Sequence, residues 1–72
     1  MDVKIVRCRI PDILKEKRKT QVWLAEEVDI TPSYLSDLIH LRFKPGIEVC
    51  AKIARVLRVK IDDLFVWEWL GE

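Results

Sequence analysis

Apolar and polar positions alternate at both ends of this chain and cycle with a helical period between them. The opening stretch VKIVRCRI is short, rich in β-branched residues and roughly alternating, the pattern of a strand. Pro11 and Asp12 suit the first turn of a helix reaching about Lys19, with Ile10, Ile13 and Leu14 inward. Thr20 is placed to cap a second helix, Gln21–Val28, whose inward residues are Leu24, Ala25 and Val28. Asp29 ends it, because Asp is one of the few non-glycine residues that enter the left-handed conformation readily.

Thr31 and Pro32 then start a third helix at once. Threonine is a good cap, and proline's missing N–H costs nothing at the first helical position. At 100° per residue over a helix reaching about His40, Ser33, Ser36, Asp37 and His40 share one side, and Leu35, Leu38 and Ile39 share the other. After the loop LRFKPG, the stretch IEVCAKIARVL predicts a fourth helix with Ile47, Cys50, Ile53, Ala54 and Leu57 inward. KIDDLF predicts a short fifth helix, and FVWEWL alternates like a second strand. Residues 65–70 are expected to pair with residues 3–9, with the basic Lys4, Arg7 and Arg9 opposite the acidic Glu68 and Glu72.

The chain has 72 residues, enough for one domain, residues 1–72, with a thin margin of stability. Half of the residues are hydrophobic, which argues against disorder. No apolar run approaches the roughly 20 residues that span a bilayer, and the charged N-terminal segment does not read as a secretory signal, so no membrane partner and a cytoplasmic location are expected. Two cysteines and one histidine cannot supply a four-ligand zinc site, and no metal or other cofactor is expected. Cys50 reads as a buried small hydrophobe, Cys8 as a thiol that could be exposed. Net charge is only +1, but it is segregated: residues 1–20 carry +4, residues 21–40 carry −4, residues 41–60 carry +5 and residues 61–72 carry −4. Two basic blocks could face a polyanion.

Two short helices joined by about three residues can hold the second at a steep angle, polar side outward, and such a helix fits the major groove of B-DNA. Small Ala25 permits close approach; Ile30, Leu35 and Leu38 supply the shared apolar wedge. With Gln21, Leu24-Ala25, Ile30, Thr31, Leu35-Ser36, Pro45, KIARVLRV and DDL in register without a gap, the chain resembles the Cro/repressor-type (XRE, lambda-repressor-like) helix-turn-helix family over about residues 13–65. Its compact form is similar to small regulators of bacterial and prophage genomes.

The resemblance implies a mainly α, five-helix lambda-repressor-like domain with its helix-turn-helix at about residues 20–40, to which the two terminal strands predicted above add a small two-stranded sheet. It implies a DNA-binding transcriptional regulator, acting as a repressor. Carried onto this sequence, base reading falls to Thr31, Pro32, Ser33, Ser36, Asp37 and His40, and phosphate binding to Thr20, Gln21, Arg42 and Lys44. The expected partner is double-stranded DNA with a pseudo-palindromic operator, bound by a homodimer. Trp67, Trp69 and Leu70, on the aromatic alternation at the chain's end, are the candidate dimer interface. Three positions depart from the family's pattern, which favours glycine where Asp29, Leu41 and Arg58 stand. A left-handed Arg58 would carry strain of about 1 kcal/mol, and the loop from Leu41 to Lys44 is expected to differ in shape.

A competing reading is a protein-interaction module on the same fold, an anti-repressor or antitoxin-like partner, favoured by Asp37 on the reading face, apolar Leu41 and the near-neutral charge. Trp23, at a usually exposed position of the second helix, could cover the N-terminal segment or meet a protein. No nucleophile–base arrangement suggests an enzyme. The adjacent Asp62 and Asp63 fit the first turn of the fifth helix, where negative charge is favoured.

Overall fold

In a computed structural model, which describes residues 2–71, two terminal strands flank four α-helices. They are β1 (Asp2–Cys8), α1 (Ile10–Lys17), α2 (Gln21–Val28), α3 (Pro32–Ile39), α4 (Ile47–Leu57) and β2 (Phe65–Leu70). The expected fifth helix is a single 3-10 turn, Ile61–Leu64. Arg58 closes α4 and β2 starts at Phe65, so the intervening segment has room for one turn only. Asp63 caps that turn, accepting the Lys60 backbone N–H at 3.2 Å.

All four helices end alike. Arg18, Asp29, Leu41 and Arg58 take φ values of 58°, 60°, 56° and 59°, the left-handed region. In each case the next backbone N–H reaches back to the carbonyl five residues earlier: Lys19 to Leu14, Ile30 to Ala25, Arg42 to Asp37 and Val59 to Ala54, at 2.9 to 3.0 Å. This double closure ends a helix without further turns and satisfies its last carbonyls. It stops α1 at Lys17, two residues short of the expected end. Leu41 closes its turn with the backbone that glycine would supply.

One apolar core joins the elements. Ile10, Leu24, Leu35, Leu38, Ile53, Leu57 and Leu64 are fully buried, with Ala25 where α2 meets α3. Cys8, a thiol that could have been exposed, is buried in this core: it is the last residue of β1, opposite Phe65, where the sheet enters the core. Ile47 departs in the other direction. It is the first residue of α4, beyond the edge of the core, and 69% exposed.

β1 and β2 pair antiparallel, Asp2 with Leu70, Val3 with Trp69, Lys4 with Glu68 and Ile5 with Trp67; a bulge at Val6 then shifts the register to Arg7 with Val66 and Cys8 with Phe65. Of the expected charge complementarity Lys4–Glu68 appears, 3.4 Å apart, whereas Arg7 bonds Asp12 at 2.8 Å and Arg9 the Asp63 carbonyl at 3.1 Å; Glu72, the other expected partner, lies outside the described residues. Val3, Ile5, Phe65, Trp67 and Trp69 alternate onto one face. That face is buried at Phe65 and emerges progressively until Trp69 is 69% exposed. Between it and the α3–α4 loop lies an open cavity of about 580 Å³ lined by Ile5, Leu41, Phe43, Ile47 and Phe65 among others. Among the described residues no helix is long and apolar enough to cross a membrane.

Candidate nucleic-acid interface

Both helices of the central pair begin on a capping threonine. The Thr20 hydroxyl accepts the Trp23 backbone N–H at 3.0 Å, and the Thr31 hydroxyl accepts that of Tyr34, also at 3.0 Å. Each cap removes one unsatisfied donor; at α2 the Gln21 and Val22 N–H groups remain at the positive end of the helix, while at α3 Pro32 has none to offer and Ser33 supplies the free one. Thr20 and Gln21 are exposed there, and so are Thr31, Pro32 and Ser33.

Three residues, Asp29, Ile30 and Thr31, turn α2 into α3. Leu35 and Leu38 are 0% exposed, and half-buried Ile30 packs on the same core. Anchoring α3 on Leu35 and Leu38 leaves its other side in solvent. Ser36 and Asp37 are half-buried, and Ser33 and His40 are exposed. The six candidate base-reading residues therefore share one accessible side of α3 and its ends.

The contacts made within this surface refine the set. The His40 imidazole folds back on its own helix, its Nδ1 2.8 Å from the Ser36 carbonyl oxygen. A carbonyl can only accept, so Nδ1 carries the proton and Nε2 is left for an outside partner. Arg42 donates through Nη1 to Asp37 Oδ1 at 2.7 Å. A candidate phosphate contact and a candidate base contact are thus bonded to one another. Lys44 is exposed in the same loop, and Lys15, Lys17, Arg18 and Lys19 lie exposed before the start of α2.

Tyr34 belongs to this surface although helical spacing places it between the polar and apolar sides. It is 37% exposed, and its ring packs on Phe43 with centroids 5.0 Å apart, tying α3 to the following loop. The available signal was an aromatic three residues after the cap, with a second aromatic in the loop. The Asp37–Arg42 pair was missed because a five-residue separation is not a helical-neighbour spacing; only the turn at Leu41 brings the two together. Half-buried Trp23 packs at the core's margin, with the Lys19 ammonium 4.9 Å above its ring.

Trp67, Trp69 and Leu70 sit apart from this surface, on the sheet. The Trp67 indole N–H donates to the Asp62 carbonyl at 3.0 Å, which fixes its ring, whereas Trp69 stands in solvent. No cluster of three metal-ligating side chains occurs among the described residues. Burial pushes both the Cys8 and Cys50 thiols above the ordinary thiol pKa, the opposite of an activated nucleophile.

A family model described as helix-turn-helix matches residues 12–64, most of the chain. The chain belongs to the helix-turn-helix family. This bears out the resemblance carried by Gln21, Leu24-Ala25, Ile30-Thr31 and Leu35-Ser36. The helix-turn-helix match covers α2, α3 and α4 and stops before the strands at both ends. Among curated relatives, an immunity repressor protein of Bacillus phage phi105 is 36% identical over 56 residues, 78% of this chain and 39% of the phage protein. An uncharacterized HTH-type transcriptional regulator of Archaeoglobus fulgidus is 30% identical over 63 residues, 88% of this chain and 89% of its own length. The chain thus spans about two fifths of the phage repressor and nearly all of the archaeal protein.

Proposed function

We propose that this protein is a DNA-binding transcriptional regulator, acting as a repressor in the cytoplasm, that enters the major groove with α3. The observation that carries this reading is the division of α3: Leu35 and Leu38 are completely buried while Ser33, Ser36, Asp37 and His40 face outward. The major groove is about 12 Å wide and admits one helix. In that pose Thr31, Pro32, Ser33 and Ser36 approach base edges, Pro32 offering an apolar contact to a thymine methyl. Thr20, Gln21 and Lys44 hold phosphates on either side. The names of the phage and archaeal relatives, a repressor and a transcriptional regulator, support the same reading.

The regulator acts as a homodimer through Trp67, Trp69 and Leu70. A single module buries only about 600–1,000 Å² on DNA, and two-fold pairing doubles this while reading half-sites about 34–36 Å apart. Val3 and Trp69 leave apolar surface on one face at the outer end of the sheet and Leu70 leaves it on the other, in a molecule measuring 40 × 22 × 18 Å.

A salt titration tests the function. Binding to duplex DNA through about six phosphates falls roughly a thousandfold between 50 and 200 mM salt. A flat response together with tight capture of a protein would favour the interaction-module reading, for which the exposed apolar groove beside Ile47 speaks. Trp69→Glu, at an exposed position, is expected to leave the fold intact and to halve the mass in solution at micromolar concentration. An unchanged dimer refutes the sheet as the interface.

A further inference from the structure

Arg42 stands three residues beyond the end of α3, in what its sequence position marks as loop. The left-handed turn at Leu41 folds it back, and two bonds hold it: its backbone N–H on the Asp37 carbonyl at 3.0 Å and its guanidinium on the Asp37 carboxylate at 2.7 Å. Helix ends of this kind commonly carry an apolar contact between these two positions. The equivalent residues are Ala25 and Ile30 at the end of α2, Ala54 and Val59 at the end of α4, and Leu14 and Lys19 at the end of α1, where one position is apolar and the other charged. Of the four helix ends, α3's is the one at which both positions are charged and their side chains bond to each other.

Stability does not account for this ion pair. The two side chains are 60% and 42% exposed, and ion pairs so open to water stabilise little. The pair does change what α3 presents to a ligand. Asp37 is the only charged residue of α3, and unpaired it would repel phosphates. The arginine carries five N–H donors, of which one nitrogen is engaged by Asp37. Its planar fork matches guanine O6 and N7 in the major groove, the commonest specific contact of protein with DNA. The carboxylate holds that fork in place beforehand, so less side-chain freedom is lost on binding. A phosphate contact needs no such support and would be weakened by it, because Asp37 cancels the charge that Arg42 offers. The serines of α3 bond donor and acceptor edges alike and cannot discriminate sharply.

We propose that Arg42 is the specificity-determining residue of this protein, an arginine oriented by Asp37 to read a guanine in the major groove. The inference rests on the DNA-binding reading above. It moves Arg42 from the phosphate-binding set to the base-reading set and makes Asp37 a positioning residue.

Selection of bound duplexes from a random pool, with the full chain and its Arg42→Lys and Asp37→Asn variants, tests it. Circular dichroism melts confirm that each variant is folded. With the parent protein, one guanine per half-site is enriched, and replacing it weakens binding about tenfold or more. Arg42→Lys keeps the charge and the salt dependence but loses the guanine preference. Asp37→Asn loses preference while binding random DNA more tightly, because a negative charge has gone. The proposal is overturned if Arg42→Lys retains the preference, or if Asp37→Asn strengthens selected and random duplexes alike. A consensus identical in all three proteins defeats this assignment and leaves the regulator reading standing. No enrichment by the parent protein, with a flat salt response, defeats both.

Discussion

Arg58 offers a direct measure of what this chain tolerates in order to end its helices. It closes α4 at φ 59°, where an L-residue's Cβ crowds the neighbouring carbonyl at a cost of about 1–2 kcal/mol. Glycine at that position removes the crowding but gives the unfolded chain more freedom, which returns about 0.4–1 kcal/mol. Alanine keeps the Cβ and so keeps the strain. Arg58 is exposed and makes no side-chain hydrogen bond or ion pair among the described residues, and its favourable charge at the helix end is lost equally in both variants. Arg58→Gly should therefore exceed Arg58→Ala by about 1 kcal/mol, the difference of these two effects. For a domain of this size that is roughly 4–8 °C in Tm. Thermal unfolding followed by circular dichroism at fixed protein concentration reads the gap. Equal melting temperatures for the two variants, or a lower one for glycine, would refute the strain argument and with it the account of how α4 ends.

Loss of the cap in Thr31→Ala should destabilise the domain by about 1 kcal/mol in urea titration, while Thr31→Ser, which keeps the hydroxyl, should lose much less. Leu35→Ala empties a completely buried site joining α3 to the core and should cost about 2–5 kcal/mol, a large part of what so small a domain has, so its urea midpoint should drop steeply or the fold fail. Burial raises the pKa of both cysteines, so the native state holds their protons more tightly than the unfolded chain does. Their contribution to stability is complete below the ordinary thiol pKa and is lost as pH rises through the raised native value. Alkylation of the folded protein at pH 8 should be slow for both thiols and fast in denaturant; rapid labelling of Cys8 in the native state would contradict its burial.

The helical half of the fold was legible because its signals are local and redundant. Thr20 and Thr31 each combine a capping hydroxyl with an apolar period that starts in register behind them, and Pro32 fixes the first position of α3. Asp29 announces its own left-handed turn; Arg18 and Leu41 carry no such mark, and tertiary context imposes the conformation on them. The fifth helix was overextended because DDL has the composition of a first turn, while the pairing of Phe65 with Cys8, which stops it, is a contact across the whole chain. Ile47 misled for a related reason: helical phase placed it inward, but the core ends before the first turn of α4. The candidate site was legible as a face and not as a set of bonds, since neither His40 folding onto Ser36 nor Arg42 onto Asp37 follows from periodicity.

The charge pattern acquires a physical sense once these contacts are placed. Residues 21–40 carry a net −4, an unpromising figure for a segment that meets a polyanion. Glu26, Glu27 and Asp29, however, occupy the C-terminal end of α2 and its turn, while the proposed phosphate contact lies at Thr20 and Gln21. At 1.5 Å per residue, Glu27 lies about 10 Å along the axis from Thr20, roughly a Debye length at physiological salt. Repulsion from that end is largely screened where the phosphate would sit. The fourth acid, Asp37, sits on the proposed reading face itself and is the one that Arg42 covers. The basic residues before α2 and after α3 then set the field at the edges of the proposed contact, and the middle is left to hydrogen-bonding groups. On the proposed reading such a segment discriminates by geometry before it attracts by charge, so the Arg42 and Asp37 substitutions should alter sequence preference more than overall affinity.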